Sequence, residues 1–253
     1  MLDSKEDIFS RNELYWGREF QNALKHKHVA VFGLGGVGGF CAEALARAGI
    51  GQLTIVDFDT VSSSNINRQL VALNSTVGLK KTELFKSRLK DINSEIKLNV
   101  IDDFYTEETD IADADYIADA IDTMRSKIGL LEFSVKNHLP IISSMGAGNR
   151  IDPTKLYICD ISEIEDKNAP FVSNILYQLK KRGIENGIKV VASREKPYVK
   201  EKISETEHIT TKSGEDIEFV KILPSSTPFV ASVAGIFMAS YIVQEFKKEF
   251  KNG

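Results

Sequence analysis

Residues 27–59, KHVAVFGLGGVGGFCAEALARAGIGQLTIVDFD, change period twice and so decide the fold. His28–Phe32 is a short β-branched and aromatic run, apolar on both faces, as a strand buried within a parallel sheet must be. The glycines between Gly33 and Gly39 end it. From Phe40 to Ala48 small and apolar residues return at helical spacing (Ala42, Leu45, Ala46), and Gly49 stands where a left-handed helix cap belongs. Leu53–Val56 then reads as a second strand with Asp57 at its carboxyl end. The unit is βαβ, the building block of parallel sheets with right-handed crossovers.

The alternation continues outward. Val77–Leu89 has helical periodicity, Lys97–Ile101 alternates as a strand, Tyr116–Ile121 is a buried strand, Lys127–Asn137 a helix and Pro140–Ser143 a strand. The predicted class is therefore α/β: a doubly wound, mostly parallel Rossmann-like sheet with a less regular C-terminal extension. Three regions are expected: an N-terminal helical arm (1–27), a nucleotide-binding Rossmann-like domain (28–160), and a C-terminal part of the same domain (161–253). Within the last, Ile175–Arg182 reads as helix and Lys189–Ala192 as strand. The polar tract from Lys200 to Asp216 is expected to be a mobile surface loop.

Composition narrows the function. At 253 residues, 42% hydrophobic and 27% charged, the chain has globular usage, with one large domain expected. The formal charge of -4 means that any nucleic-acid partner is met by a local patch. Two cysteines, Cys41 and Cys159, are too few for a disulfide framework or a four-cysteine zinc site, and Cys159 reads as a small buried hydrophobe. The N-terminus lacks the basic-then-apolar profile of a secretory signal, so a cytoplasmic location is expected. The longest apolar run, Phe229–Val243, is shorter than the ~20 residues of a spanning helix and reads as a buried helix rather than a membrane span.

Gly33, Gly35 and Gly38 form Gly-x-Gly-x-x-Gly between strand and helix, with Gly36 and Gly39 beside them. Such a loop lets backbone N–H groups approach phosphate oxygens at the positive end of a helix. Asp57, 24 positions after Gly33, stands where a ribose-binding carboxylate is expected for either a dinucleotide or a mononucleotide. The segment after it separates the two. Asp59, Asn65 and Arg68 add a carboxylate, an amide and a cation within one loop, a set suited to a triphosphate. The alternative for Arg68 is an ion pair with Asp59.

Gly-x-Gly-Gly-Val-Gly, Val-Asp-Phe-Asp-x-Val, Asn-x-Asn-Arg-Gln, the Val77-Gly-x-x-Lys81 segment and Asp119-Ala-Ile-Asp122 together resemble the adenylating domain of the ubiquitin-activating superfamily. The resemblance implies ATP and magnesium as cofactors and activation of a carboxylate as an acyl-adenylate. It makes Asp57 the ribose ligand, Asn65 and Arg68 triphosphate contacts, Lys81 a cation beside the α-phosphate, and Asp122 the magnesium ligand. The plainer alternatives are a solvated Lys81 and an Asp122 that caps the following helix. Arg11, in Phe9-Ser-Arg-Asn-Glu-Leu, matches the arginine the superfamily supplies across a dimer interface, with Arg18 a second candidate, so a homodimer is implied.

The carboxylate itself is indicated by three further stretches. Ser143–Lys155, Val190–Pro197 and Pro224–Gly235 resemble the tRNA threonylcarbamoyladenosine dehydratase family, which extends the similarity over nearly the whole chain. The implied reaction is ATP-dependent cyclisation of threonylcarbamoyladenosine in tRNA to a hydantoin-type ring. No acyl-accepting cysteine is needed, because the nucleophile is already tethered to the acyl group. The runner-up, adenylation of a ubiquitin-like sulfur carrier, normally comes with zinc-binding Cys-x-x-Cys pairs that are absent here; a sulfur-mobilising protein remains a candidate partner. Gln178–Lys202 holds eight basic and three acidic residues, and Lys181, Arg182, Arg194 and Lys196 are the expected tRNA contacts.

Overall fold

The computed structural model describes residues 8–106, 109, 111, 113–198, 200, 203–210 and 216–252, the two strands between 203 and 223 by their backbone alone. Two short helices, α1 (Ser10–Trp16) and α2 (Arg18–Leu24), lead into the strand β1 (His28–Phe32). The expected βαβ unit follows as α3 (Gly38–Ala48) and β2 (Gln52–Val56), then α4 (Lys81–Ile92), β3 (Lys97–Ile101), β4 (Tyr116–Asp119), α5 (Met124–Lys136) and β5 (Ile141–Ser144). After these come β6 (Leu156–Asp160), α6 (Pro170–Lys180), β7 (Lys189–Ser193), a β8 (Ile203–Thr210) and β9 (Asp216–Leu223) pair, and α7 (Pro228–Asn252).

Seven strands form one sheet in the order β3-β2-β1-β4-β5-β7-β6. All pair in parallel except β6, which runs antiparallel along β7 at the edge. The doubly wound class is therefore correct. Every residue of β1 is buried, and its two faces feed separate cores. Val29 and Val31 pack with α3, α4 and α7 residues such as Leu45, Phe85 and Met238. Ala30 and Phe32 pack with Leu131, Ile175 and Leu179 of α5 and α6. A strand sandwiched by helices has no polar face, which explains the unbroken apolar run.

Four expectations change. The helix foreseen from Val77 starts at Lys81, because Gly78 takes φ +87° and Lys80 is extended, so residues 77–80 cannot continue a helix. The tract from Lys200 to Asp216 belongs mostly to an antiparallel hairpin, Ile203–Thr210 paired with Asp216–Leu223. Its β-branched residues (Thr206, Ile209, Val220, Ile222) support strands despite the tract's polarity. Cys159 is half-buried on the edge strand rather than enclosed. Lastly, α7 runs for 25 residues and is long and apolar enough to cross a membrane by length and composition. Its buried stripe of Ala231, Ala234, Gly235, Met238 and Ala239 packs against the sheet and α3, as a core helix does.

Candidate active site

The carboxyl ends of β1, β2 and β4 open into a cleft of about 520 Å³, within the size range of cofactor sites. The sheet order places it there. From β1 the chain winds outward to β2 and β3, then returns to the other side of β1 as β4, so the connecting loops diverge and leave a crevice.

The glycine loop forms its floor. Gly33 takes φ +81°, and a Cβ there would lie 2.8 Å from the Ala120 carbonyl oxygen. A Cβ on Gly38 would overlap the Gly33 carbonyl. Both must be glycine for the turn to pack against the end of β4. Gly35, Gly36 and Val37 line the cleft, and α3 begins at Gly38. In its first turn the Gly39 and Cys41 N–H groups donate to the Gly35 and Val37 carbonyls, both at 3.1 Å, so the positive end of the helix and the N–H groups of the loop before it give the floor its anion-binding character.

Asp57, only 7% exposed, braces this floor. Its carboxylate accepts the Leu34 N–H (2.5 Å) and the Asp59 N–H (2.8 Å), so one side chain ties the glycine loop to the loop after β2. Burial pushes the Asp57 carboxyl above its ordinary range, opposed by Lys81 and by those two N–H donors. Lys81 opens α4 and is 4% exposed. Its Nζ donates to Asp59 Oδ2 at 2.8 Å and stands 4.0 Å from Asp57 Oδ1. A solvated Lys81 is thus excluded.

Arg68 lines the cleft without a carboxylate at ion-pair distance among the described residues. Its Nη1 donates to Ser64 O and Asn67 Oδ1, both at 2.9 Å. Burial holds the guanidinium below its usual pKa, and the nearby Asp122 carboxylate opposes that shift. The alternative pairing with Asp59 does not form among the described residues; the cation on that carboxylate is Lys81. Asn65 commits its side-chain oxygen to the Ser62 N–H (3.1 Å), closing the turn Ser63–Asn65. Its amide nitrogen is the remaining group for a ligand.

Asp122 is exposed on the cleft wall. It does not cap α5, whose N-cap is Thr123; its nearest side-chain partner is Thr123 Oγ1 at 3.4 Å. The strand end before it is fixed by a group that sequence reading missed. Lys127 and Asp119 are both fully buried, with Nζ to Oδ2 at 2.6 Å. Asp119 also accepts the Ser143 hydroxyl (2.6 Å) and the Ile121 N–H (3.0 Å), while Lys127 donates to the Ile121 carbonyl (3.0 Å). One signal was available: helical spacing puts Lys127 on the same buried face as Leu131 and Ser134. Gln69, beside the glycine loop, is a second omission; its buried Oε1 has no partner among the described residues.

The structure brings together Gly33, Gly35, Gly36, Asp57, Asp59, Asn65, Arg68, Lys81 and Asp122. Other expected residues lie elsewhere. Arg11 is exposed on α1 and Arg18 on α2, where it faces Glu13 at 3.4 Å; neither lines the cleft. Lys181 and Arg182 follow α6 ahead of β7, with Arg182 paired to Glu132 (2.9 Å). Arg194 and Lys196 follow β7 at its other end, with Arg194 paired to Glu165 (2.8 Å) over the Tyr157 ring. The five residues of β7, roughly 16 Å long, run between them, so the two pairs stand toward opposite ends of that strand. No group of three or more metal-ligating side chains occurs among the described residues.

Comparison with known proteins agrees with this geometry. The model of the ThiF family matches residues 9–244. The tRNA threonylcarbamoyladenosine dehydratase of Bacillus subtilis (strain 168) is 44% identical over 251 residues, covering 96% of each chain. Among solved structures, the E. coli tRNA N6-threonylcarbamoyladenosine dehydratase in complex with AMP superposes with a TM-score of 0.84 at 28% identity, covering 97% of this chain and 96% of that one. The same enzyme in complex with ATP gives 0.79, also at 28% identity, with the same coverage. By fold, cleft and sequence, the chain belongs to the ThiF family and, within it, to the group of the tRNA threonylcarbamoyladenosine dehydratases.

Proposed function

We propose that this cleft binds ATP and uses it to cyclise threonylcarbamoyladenosine in tRNA through an acyl-adenylate. The observation that carries the reading is the side-by-side placement of an anion-binding glycine floor, two cations (Arg68, Lys81) and an exposed carboxylate, Asp122, in one crevice. Carboxylate attack on a phosphoryl centre brings like charges together, and fixed cations offset that repulsion best in a partly water-excluded site. Asp57 would take the ribose hydroxyls, Asn65 and Arg68 the β- and γ-phosphates, and Lys81 the α-phosphate.

A single carboxylate beside phosphates is the usual donor set for magnesium, and Asp122, outside any cap or ion pair, fits it. Bound there with phosphate oxygens, the ion would supply charge neutralisation. The threonyl carboxylate oxygen bonds to the α-phosphorus and pyrophosphate leaves. The carbamoyl nitrogen then attacks the acyl carbon, loses its proton, and AMP departs with the carboxylate oxygen. Because the nucleophile is tethered, effective molarity replaces a protein nucleophile. That matches the chemistry of the cysteines: burial pushes Cys41 far up, and Cys159 to about 11, so neither is a ready thiolate. No step of this reaction uses sulfur, so a sulfur-mobilising partner would associate for a purpose other than the cyclisation.

Arg11 would reach the phosphates of a second copy, which makes the working unit a homodimer; free, unpaired cysteines fit a reducing cytoplasm. The test is incubation with ATP, magnesium and tRNA carrying threonylcarbamoyladenosine, followed by mass analysis of the nucleosides. Loss of one water from the modified adenosine is expected. An unchanged mass, with pyrophosphate exchange appearing only when a ubiquitin-like carrier is added, would favour the runner-up.

A further inference from the structure

Outside the glycine loop and its acidic partners, the stretches 143–155 and 224–235 and the residue that follows 190–197 meet at Asn149. Asn149 has φ +61°, a left-handed conformation that side chains other than glycine seldom adopt. From that position its main chain and side chain reach in two directions. Its carbonyl accepts the Tyr198 N–H at 2.8 Å. Its own N–H donates to the Ser225 carbonyl (2.7 Å), and its Oδ1 accepts both the Ser225 N–H (2.7 Å) and hydroxyl (3.1 Å). Tyr198 precedes the β8–β9 hairpin and Ser225 follows it, so Asn149 pins both of its feet.

The neighbours of this clamp form one wall of the cleft. Gly148 lines it on one side and Pro224 and Ser226 on the other, close enough that a Cβ on Gly148 would lie 2.8 Å from the Pro224 Cβ. Arg150 supports the same turn from behind. It is 8% exposed, and its guanidinium donates to the carbonyls of Gly146 (2.8 Å), Gly148 (3.2 Å) and Glu195 (3.1 Å).

The wall has a definite position relative to the nucleotide. Across the sheet, Asp57 ends β2, the glycine loop follows β1, Asp122 follows β4, and this wall follows β5. A nucleotide with its ribose at Asp57 and phosphates on the glycine floor leaves the β5 side for the incoming acid. We infer that Asn149 is a positioning residue for the acyl substrate: by clamping Tyr198 and Ser225 it shapes the wall that seats the threonylcarbamoyl group. This rests on the reaction proposed above.

Asn149→Gly keeps the backbone conformation and deletes the side-chain half of the clamp. Asn149→Asp keeps an oxygen acceptor for Ser225. With modified tRNA, Asn149→Gly is expected to lower kcat/KM at least about tenfold, while the Kd for ATP, titrated without tRNA, stays within about twofold. Asn149→Asp is expected to restore most of the lost kcat/KM. Wild-type kcat/KM in Asn149→Gly, or a Kd for ATP weakened as much as kcat/KM falls, would overturn the assignment. Failure of the wild-type protein itself to remove water from the modified tRNA would instead overturn the reaction on which it rests.

Discussion

Lys127 is fully buried, and the protein tolerates it there only because Asp119 lies 2.6 Å away, its carboxylate also accepting from Ser143 and Ile121. Such a pair adds little net stability over an apolar equivalent, but removing one partner strands a buried charge. Lys127→Met is therefore expected to lower the unfolding free energy by about 3–5 kcal/mol in urea titrations. Lys127→Met combined with Asp119→Asn should recover a large part of that loss; a single variant within about 1 kcal/mol of wild type would contradict it. Residues of this kind mark the limit of what the sequence discloses. Asp57, Arg68, Lys81 and Asp122 were legible because each is a charged residue at a strand end, loop or helix start inside a short motif. Lys127 left only the weaker signal of its helical spacing, and Asn149 left none, since its partner Ser225 stands 76 positions away and no local pattern encodes that pairing.

The long α7 closes the sheet face that carries the glycine loop. A Cβ on Gly235 would overlap the Val37 carbonyl and lie 3.0 Å from the Cys41 nitrogen, so the backbones of α7 and α3 approach as only glycine allows. Gly235→Ala should cost about 1–3 kcal/mol in thermal or chemical unfolding. Because Val37 belongs to the cleft floor, ATP affinity should weaken with it; unchanged stability and affinity would show that the two helices relax apart without cost. The parallel strands and their crossover helices were readable in outline, as burial on both faces imposes an unbroken apolar run on central strands such as β1. The β8–β9 hairpin was not. Between Lys200 and Asp216 the only large apolar residues are Ile203 and Ile209, and so polar a tract reads as loop until a partner strand supplies the pairing.

Across the whole molecule the charge is -4, so attraction to RNA depends on where its cations stand. The cleft lies at the carboxyl ends of the parallel strands, the end at which Arg194 and Lys196 leave β7, whereas Lys181 and Arg182 precede it at the opposite edge. Reversing Arg194 and Lys196 should weaken tRNA binding and lower the salt slope by roughly one for each phosphate no longer neutralised. Reversing Lys181 and Arg182 should do less; equal effects would move the RNA away from the cleft. Linear charge counting could not separate these ends, because a single short strand carries the chain from one to the other. In the proposed reaction the substrate's carboxylate oxygen attacks the α-phosphorus of ATP. Turnover of tRNA whose threonyl carboxylate carries oxygen-18 tests this directly: label is expected in the AMP released, and label found instead in pyrophosphate or orthophosphate, or absent from AMP, would contradict it.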